Sequence, residues 1–262
     1  MARRNPAVTT LADGAEMPLI GLGTWSLTGQ AGRRAIADAL EIGYRHIDTA
    51  TAYGNQREVG AALVDSGVAR AEVFLTTKCP PENVGREQET LEESLAQLGV
   101  DYVDLWLVHW PPAGQSRPDV WAHFVRAQQD GLVRSIGVSN YSIAQIDEVS
   151  NACGVAPVVN QIPWSPSRYD AELAAALNER GIVLEGYSPL KLTDLANPVL
   201  LEIARTHGVT TGQVVLRWHL EHGFVAIPKS AHRGRLEENF AVTNFSLSAE
   251  ETARVDAIAH QR

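Results

Sequence analysis

The sequence predicts an α/β fold, a (β/α)8 TIM barrel with an N-terminal β-hairpin across the barrel bottom. Three observations carry that expectation. Eight short apolar runs recur along the chain, each is followed by a segment with helical spacing, and the glycine fingerprint of an open dinucleotide-binding sheet is missing. Strands apolar on both faces, alternating with amphipathic helices, imply a parallel sheet covered by helices. Eight such units within 262 residues suit one closed barrel domain spanning residues 1–262.

The hairpin is read from Val8-Thr-Thr-Leu11, the Asp13-Gly14 turn signal and Met17-Pro-Leu19. The first four barrel runs are Ile20-Gly-Leu-Gly-Thr24, His46-Ile-Asp48, Val73-Phe-Leu-Thr-Thr-Lys78 and Val103-Asp-Leu-Trp-Leu-Val-His109. The other four are Ser135-Ile-Gly-Val-Ser139, Val158-Val-Asn-Gln161, Ile182-Val-Leu-Glu-Gly-Tyr187 and Phe224-Val-Ala-Ile-Pro228. Between them, Leu91, Leu95 and Leu98 stand at i, i+4 and i+7 before a Gly99 stop. Ile36 and Leu40 precede Gly43 in the same way, and Trp121, Phe124 and Val125 precede Gly131. A doubly wound sheet would carry Gly-x-Gly-x-x-Gly after its first strand. Here Gly21-Leu-Gly23 runs into Thr-Trp-Ser, and the barrel is preferred.

Composition narrows the function classes. A hydrophobic share of 45% excludes a disordered or collagen-like chain. The 22 basic against 31 acidic residues leave a net charge of −9, which argues against nucleic acid or an anionic membrane as partner. It leaves room for a local basic pocket. Cys79 and Cys153 stand far apart without ligand spacing, so neither a zinc site nor a disulfide framework is expected, and no metal is expected elsewhere. The basic opening, with Arg3 and Arg4, leads into no apolar run, and no stretch approaches a membrane span. A cytoplasmic protein is expected.

The polar residues fall at the C-terminal ends of the runs, where barrels of this kind keep their chemistry. Asp48 ends the second, Lys78 the third, His109-Trp110-Pro111 the fourth and Ser139-Asn140 the fifth. The sixth carries Asn160-Gln161, the seventh ends in Tyr187-Ser188-Pro189 and the eighth in Pro228-Lys229-Ser230. Singly, each has a structural explanation: a helix cap, a satisfied histidine, a solvated lysine, a packing tyrosine. Capping does not require Asp, Lys and His on three successive strands. A lysine held by an aspartate stays protonated when buried. Such a fixed cation lowers the pKa of a nearby phenol, and Tyr53 lies five residues beyond Asp48. The phenol would give a proton to a developing alkoxide while a neutral His109 holds the substrate oxygen, an arrangement suited to carbonyl reduction. No side chain delivers hydride, so a nicotinamide or flavin is needed.

On these residues the sequence resembles the aldo-keto reductase family along essentially its whole length. The motifs are Gly21-Leu-Gly-Thr-Trp25, Gly43-Tyr-Arg-His-Ile-Asp-Thr-Ala50 with Tyr53-Gly-Asn55, Leu75-Thr-Thr-Lys78 and Val103-Asp-Leu-Trp-Leu-Val-His-Trp-Pro111. They continue with Ile136-Gly-Val-Ser-Asn140, Tyr187-Ser-Pro-Leu190, Ile227-Pro-Lys-Ser230, Arg235 and Glu238-Asn239. The chain is most similar to short bacterial members of the 2,5-diketo-gluconate reductase kind. The resemblance implies a catalytic tetrad of Asp48, Tyr53, Lys78 and His109, with Tyr53 the proton donor, Lys78 and Asp48 tuning it and His109 orienting the carbonyl. It implies an NADPH (NADP+) site in which Ser139, Asn140 and Gln161 hold the carboxamide and Tyr187 stacks on the nicotinamide ring. Gly23, Thr24, Trp25, Asp48, Ser188, Pro189, Leu190 and Ile227 lie along the cofactor, and Trp25, Tyr53, His109 and Trp110 wall the substrate. Lys229, Ser230 and Arg235, with Glu238 and Asn239 beyond, match the group that grips the adenosine 2′-phosphate, and an Arg and a Lys near a helix start do make an anion site.

Three positions depart from the family pattern. Gln56 stands where Glu is common, Lys191 where Gly is common ahead of a short loop to a helix near Pro198, and His232 where some bacterial members carry Arg. The sequence ends at Arg262, soon after a helical pattern from Ser248, so a cleft with little C-terminal wall, open to varied small carbonyls, is expected. The resemblance implies a monomer. Two other readings make different demands. A redox-sensing module like the channel β-subunits of the family would bind NADPH with little turnover. A Schiff-base aldolase would need Lys78 at a depressed pKa, which a neighbouring Asp48 opposes.

Overall fold

A computed structural model describes residues 7–260, so the basic opening weighed above as a leader, residues 1–6, lies outside the described residues. The hairpin pairs β1 (Val8–Thr10) with β2 (Glu16–Pro18) in antiparallel register, Val8 facing Pro18. Its Thr9 and Thr10 lie beside Ile182, Val183 and Phe224, at the entrances of two barrel strands, so the hairpin caps the bottom.

The barrel strands are β3 (Leu22–Gly23), β4 (His46–Asp48), β5 (Phe74–Cys79), β6 (Val103–Val108), β7 (Val133–Ser139), β8 (Val159–Pro163), β9 (Val183–Tyr187) and β10 (Val225–Ile227). All neighbours pair in parallel, in chain order. The first predicted strand shrinks to two residues, and an isolated bridge between Ile20 and Ala226 closes the ring instead. Glycine permits that closure: a Cβ on Gly23 would stand 2.8 Å from the Ile227 carbonyl oxygen.

The helices are α1 (Gly29–Ile42), α2 (Gln56–Ser66), α3 (Glu87–Leu98), α4 (Pro118–Gln129), α5 (Ile143–Cys153) and α6 (Ala171–Glu179). Then come α7 (Pro198–His207), α8 (Thr211–Glu221), α9 (Arg233–Phe240) and α10 (Ala249–Asp256). The predicted apolar stripes face inward: Ile36 and Leu40 of α1 and Leu91, Leu95 and Leu98 of α3 are buried, and Gly99 ends α3 at φ 67°. Two helices rather than one fill the β9–β10 crossover. Each starts on its own cap, Asn197 for α7 and a Thr210–Gln213 capping box for α8. Between barrel and shell, Trp106 of β6 stacks on Phe124 of α4 with ring centroids 3.7 Å apart. Such a pair adds about 0.5–1.5 kcal/mol beyond its buried area. Among the described residues no helix is long and apolar enough to cross a membrane.

Candidate active site

The C-terminal ends of the strands surround a cleft of about 570 Å³. The parallel register builds its floor. Asp48 pairs with Thr76, and Lys78, two residues further along β5, projects to the same face. The Lys78 ammonium is fully buried and donates to both Asp48 carboxylate oxygens at 2.7 Å and to the Thr49 carbonyl at 2.8 Å. Its Nζ stands 3.5 Å from the Tyr53 hydroxyl and 5.0 Å from that ring's centre.

Tyr53 reaches this position from a short 3-10 turn, Thr51–Tyr53, closed by Gly54 in the left-handed region. The Thr51 hydroxyl donates to the Lys78 carbonyl at 2.9 Å, tying the turn to β5. Buried Asn55 anchors the other side, donating to the carbonyls of Thr24 at 2.7 Å and Leu27 at 2.9 Å. His109 follows β6, and its N–H donates to the Cys79 carbonyl at 3.0 Å, one step beyond the ladder. Its ring meets Tyr53 edge-on at 5.8 Å.

A second set of polar groups lines the next two strand ends. Ser139 Oγ donates to the Gln161 carbonyl at 2.8 Å and accepts from Asn140 Nδ2 at 2.9 Å. Asn140 Nδ2 also donates to the His109 carbonyl at 3.2 Å, and its Oδ1 accepts from the Tyr187 hydroxyl at 3.0 Å. Gln161 Nε2 donates to Asp48 Oδ2 at 2.8 Å, joining this set to the buried ion pair. Asn140 and Ser188 adopt left-handed backbone, φ 64° and 55°. Backbone of that kind is costly away from glycine and gathers at functional sites.

The electrostatics follow from burial and one fixed cation. Burial pulls the Lys78 ammonium toward neutrality, but the Asp48 carboxylate, Tyr53 and Glu185 together outweigh it and the net shift is upward, so the charge stays. Burial, with the neighbouring ammonium, lowers His109 to about 3 and leaves it neutral at pH 7. For Tyr53 the balance differs from the sequence expectation. Burial raises the phenol and outweighs the lowering by Lys78, because the nearest ammonium contact is a long 3.5 Å. In this state the phenol therefore carries its proton through the neutral range.

The Aldo/keto reductase family profile matches residues 19–260. The chain belongs to the aldo/keto reductase family. The methylglyoxal reductase DkgA of Salmonella typhimurium is 43% identical to this aldo/keto reductase over 96% of the chain and 93% of its own length. Among solved structures, an aldo/keto reductase from Brucella melitensis is 38% identical with a TM-score of 0.93, covering 97% of this chain and 99% of its own. The aldose reductase of Schistosoma japonicum is 33% identical with a TM-score of 0.89, over 96% and 91% of the two chains. Members of the family are oxidoreductases that act on small carbonyl compounds.

Most of the expected site residues meet in the cleft of this aldo/keto reductase: Gly23, Trp25, Asp48, Tyr53, His109, Trp110, Ser139, Asn140, Gln161, Tyr187 to Leu190, Ile227 and Lys229. Lys78 lies beneath them. Thr24 is buried, its hydroxyl donating to the Asp48 carbonyl at 2.9 Å rather than facing the cleft. Ser230, Arg235, Glu238 and Asn239 stand apart, on α9 and the turn before it. Gln56, the first residue of α2, packs against the outside of β5, its side chain accepting from the Thr77 hydroxyl at 2.7 Å, so the Glu-to-Gln departure sits away from the cleft. Lys191 does line the cleft, its ammonium 5.9 Å from the Trp25 ring. Ala52 and Pro228 are lining residues that the sequence reading missed. Neither carries a chemical signal. The Thr49 carbonyl, also missed, is a backbone group, and backbone groups leave no trace in residue type.

Proposed function

We propose that this chain reduces small aldehydes, ketones or dicarbonyls to alcohols with NADPH, Tyr53 giving the proton. The convergence of the Tyr53 hydroxyl, the Lys78 ammonium and the Asp48 carboxylate at the floor of one cleft carries the reading. The nicotinamide, when bound, supplies the hydride. Neutral His109 hydrogen-bonds the substrate oxygen and holds the carbonyl beside Tyr53. As negative charge grows on that oxygen, the Tyr53 O–H bond breaks and the alcohol O–H bond forms. Lys78, still charged, stabilises the phenolate until water returns its proton. Asp48 keeps Lys78 charged and aimed.

The residues present fit such a cofactor. Gly23 lets the first and last barrel strands close tightly, since a Cβ would crowd the Ile227 carbonyl, and both residues line the cleft wall the cofactor would lie against. On α9, Arg233 is committed to Asp38, Glu41 and Glu237, whereas Arg235 and Lys229 make no ion pair among the described residues. Two uncommitted cations beside a helix start would receive the 2′-phosphate. Trp25 and Trp110, 61% and 47% exposed, leave the substrate end open and suit compounds of varied shape. The Salmonella relative's name makes methylglyoxal the first substrate to assay.

Tyr53→Phe is the deciding experiment. Reduction of methylglyoxal should fall by about 10²–10⁴-fold, the usual worth of a positioned acid. NADPH binding, followed by quenching of tryptophan fluorescence, should persist. Near-normal turnover would reject Tyr53 as donor. Cofactor binding with no turnover in the parent chain would favour the redox-sensing module instead.

A further inference from the structure

Beneath the candidate tetrad lies a second carboxyl that the mechanism does not use. Glu185, in the middle of β9, is fully buried, and neither of its oxygens makes a well-formed hydrogen bond, although the Gln161 amide lies near enough to favour its charged form. It pairs in register with Gln161, whose amide donates to Asp48, and its Oε1 stands 3.5 Å from His46 Nε2. His46 is fully buried on β4, with its Nε2 3.3 Å from the Thr76 hydroxyl.

Other elements frame the group. β4 supplies His46 and Asp48, β5 supplies Lys78, and the turn after β4 supplies Tyr53. β8 offers neutral Asn160 and Gln161, and β10 only Val225, Ala226 and Ile227. A buried carboxyl with no well-formed hydrogen bond is costly in its charged form, and an ordinary packing role would be served by an apolar residue.

We propose that Glu185 is a positioning residue of the proton-donor array: the charge on its buried carboxyl sets the field in which Lys78 acts on Tyr53, and so sets how readily that phenol releases its proton. The inference rests on Tyr53 as donor. Burial, and then the Asp48 charge, push the Glu185 carboxyl up to about 8, so it is neutral while reduction proceeds at pH 7. Neutral Glu185 leaves the Lys78–Asp48 pair balanced and Tyr53 the stronger acid. Once ionised, it places a second negative charge beside the pair, which holds Lys78 and weakens Tyr53 as an acid. The site would therefore favour proton donation below the Glu185 transition and hold the phenol's proton harder above it.

Carbon-13 NMR of the full chain labelled at glutamate carboxyls tests the first half without any turnover. One glutamate should titrate near pH 8, well above the rest, and vanish in Glu185→Gln. A spectrum in which every glutamate titrates in the ordinary range would overturn the proposal. The coupling is read by ultraviolet titration of the Tyr53 phenol, taken as the difference from Tyr53→Phe. In Glu185→Gln its midpoint should fall by about half a pH unit or more, roughly threefold in proton affinity. A midpoint that stays put would overturn it as well. Should Glu185→Gln not fold, Asp48→Asn in the labelled chain replaces it: the high glutamate midpoint should drop, and an unmoved one rejects the coupling. None of these readouts needs carbonyl turnover, so failure of the proton-donor reading, seen as an active Tyr53→Phe, remains distinct from failure of the Glu185 proposal.

Discussion

A single ammonium organises the residues of the cleft. Lys78 spends its donors on Asp48 and the Thr49 carbonyl, and the phenol receives only the longer contact. The ion pair is therefore the tightly held part and Tyr53 the looser one, which suits the proton-donor role proposed for it. The same contrast holds on α9. Arg233 is tied to three carboxylates and would be a poor ligand for a phosphate, while Arg235 is available. Arg235→Ala should raise the KM for NADPH by roughly 10–100-fold, the worth of a charge-assisted hydrogen bond, and leave any NADH activity nearly unchanged. Steady-state assays with the two cofactors in parallel check this, and equal losses with both would reject the assignment.

Secondary-structure elements hold these residues by two devices, close strand approach and capped helices. At the seam of the barrel, Gly23 lies where any larger residue would push on the Ile227 carbonyl, a backbone atom that cannot swing aside. Gly23→Ala should therefore destabilise the protein by about 1–3 kcal/mol, measured by urea denaturation, with the cofactor KM rising as the seam opens. The α8 helix begins on a capping box in which the Thr210 hydroxyl accepts from the Gln213 N–H at 3.2 Å and Gln213 Oε1 accepts from the Thr210 N–H at 3.0 Å. Thr210→Ala should cost about 1 kcal/mol. Because α8 lies behind the barrel, kcat should hold while the denaturation midpoint falls.

For the whole molecule, the buried titratable groups set a pH optimum of stability. Burial lowers His46 and His109 to about 3 and His219 to about 4, all below the ordinary histidine value. The unfolded chain binds their protons at a pH where the folded chain does not, so this stability is present above about pH 6.5 and is lost as pH falls toward about 3 to 4. Glu185 works in the opposite sense. Raised to about 8, it keeps its proton in the folded chain where the unfolded chain has lost it, so stability falls as pH rises from the ordinary carboxyl range to about 8. Between about pH 4.5 and 6.5 these three histidines oppose Glu185 and stability still rises; above that their contribution is complete and Glu185 turns the slope downward. These groups together predict greatest stability near pH 6.5. A series of melting curves across pH 4 to 9 checks it, and in Glu185→Gln the decline on the alkaline side should flatten.

The sequence by itself determined the barrel, its hairpin and the order of the polar strand ends. Those depend on local periodicity and on which residues close each strand, and both are written in residue type. It singled out Asp48, Lys78 and His109 as candidates because unusual side chains at successive strand ends have few bland explanations, and Tyr53 because it follows Asp48 by five residues. Only the tertiary structure decided what backbone and distance control. It set the two-residue seam strand, the Thr49 carbonyl on Lys78 and the position of Gln56 outside β5. It also set the retained proton of Tyr53, which follows from how deep the ring lies and how far the ammonium stands from it. Glu185 makes the division plain: its letter sat in view within an apolar run, but its isolation among the barrel's inner side chains came from the packing of other strands around it.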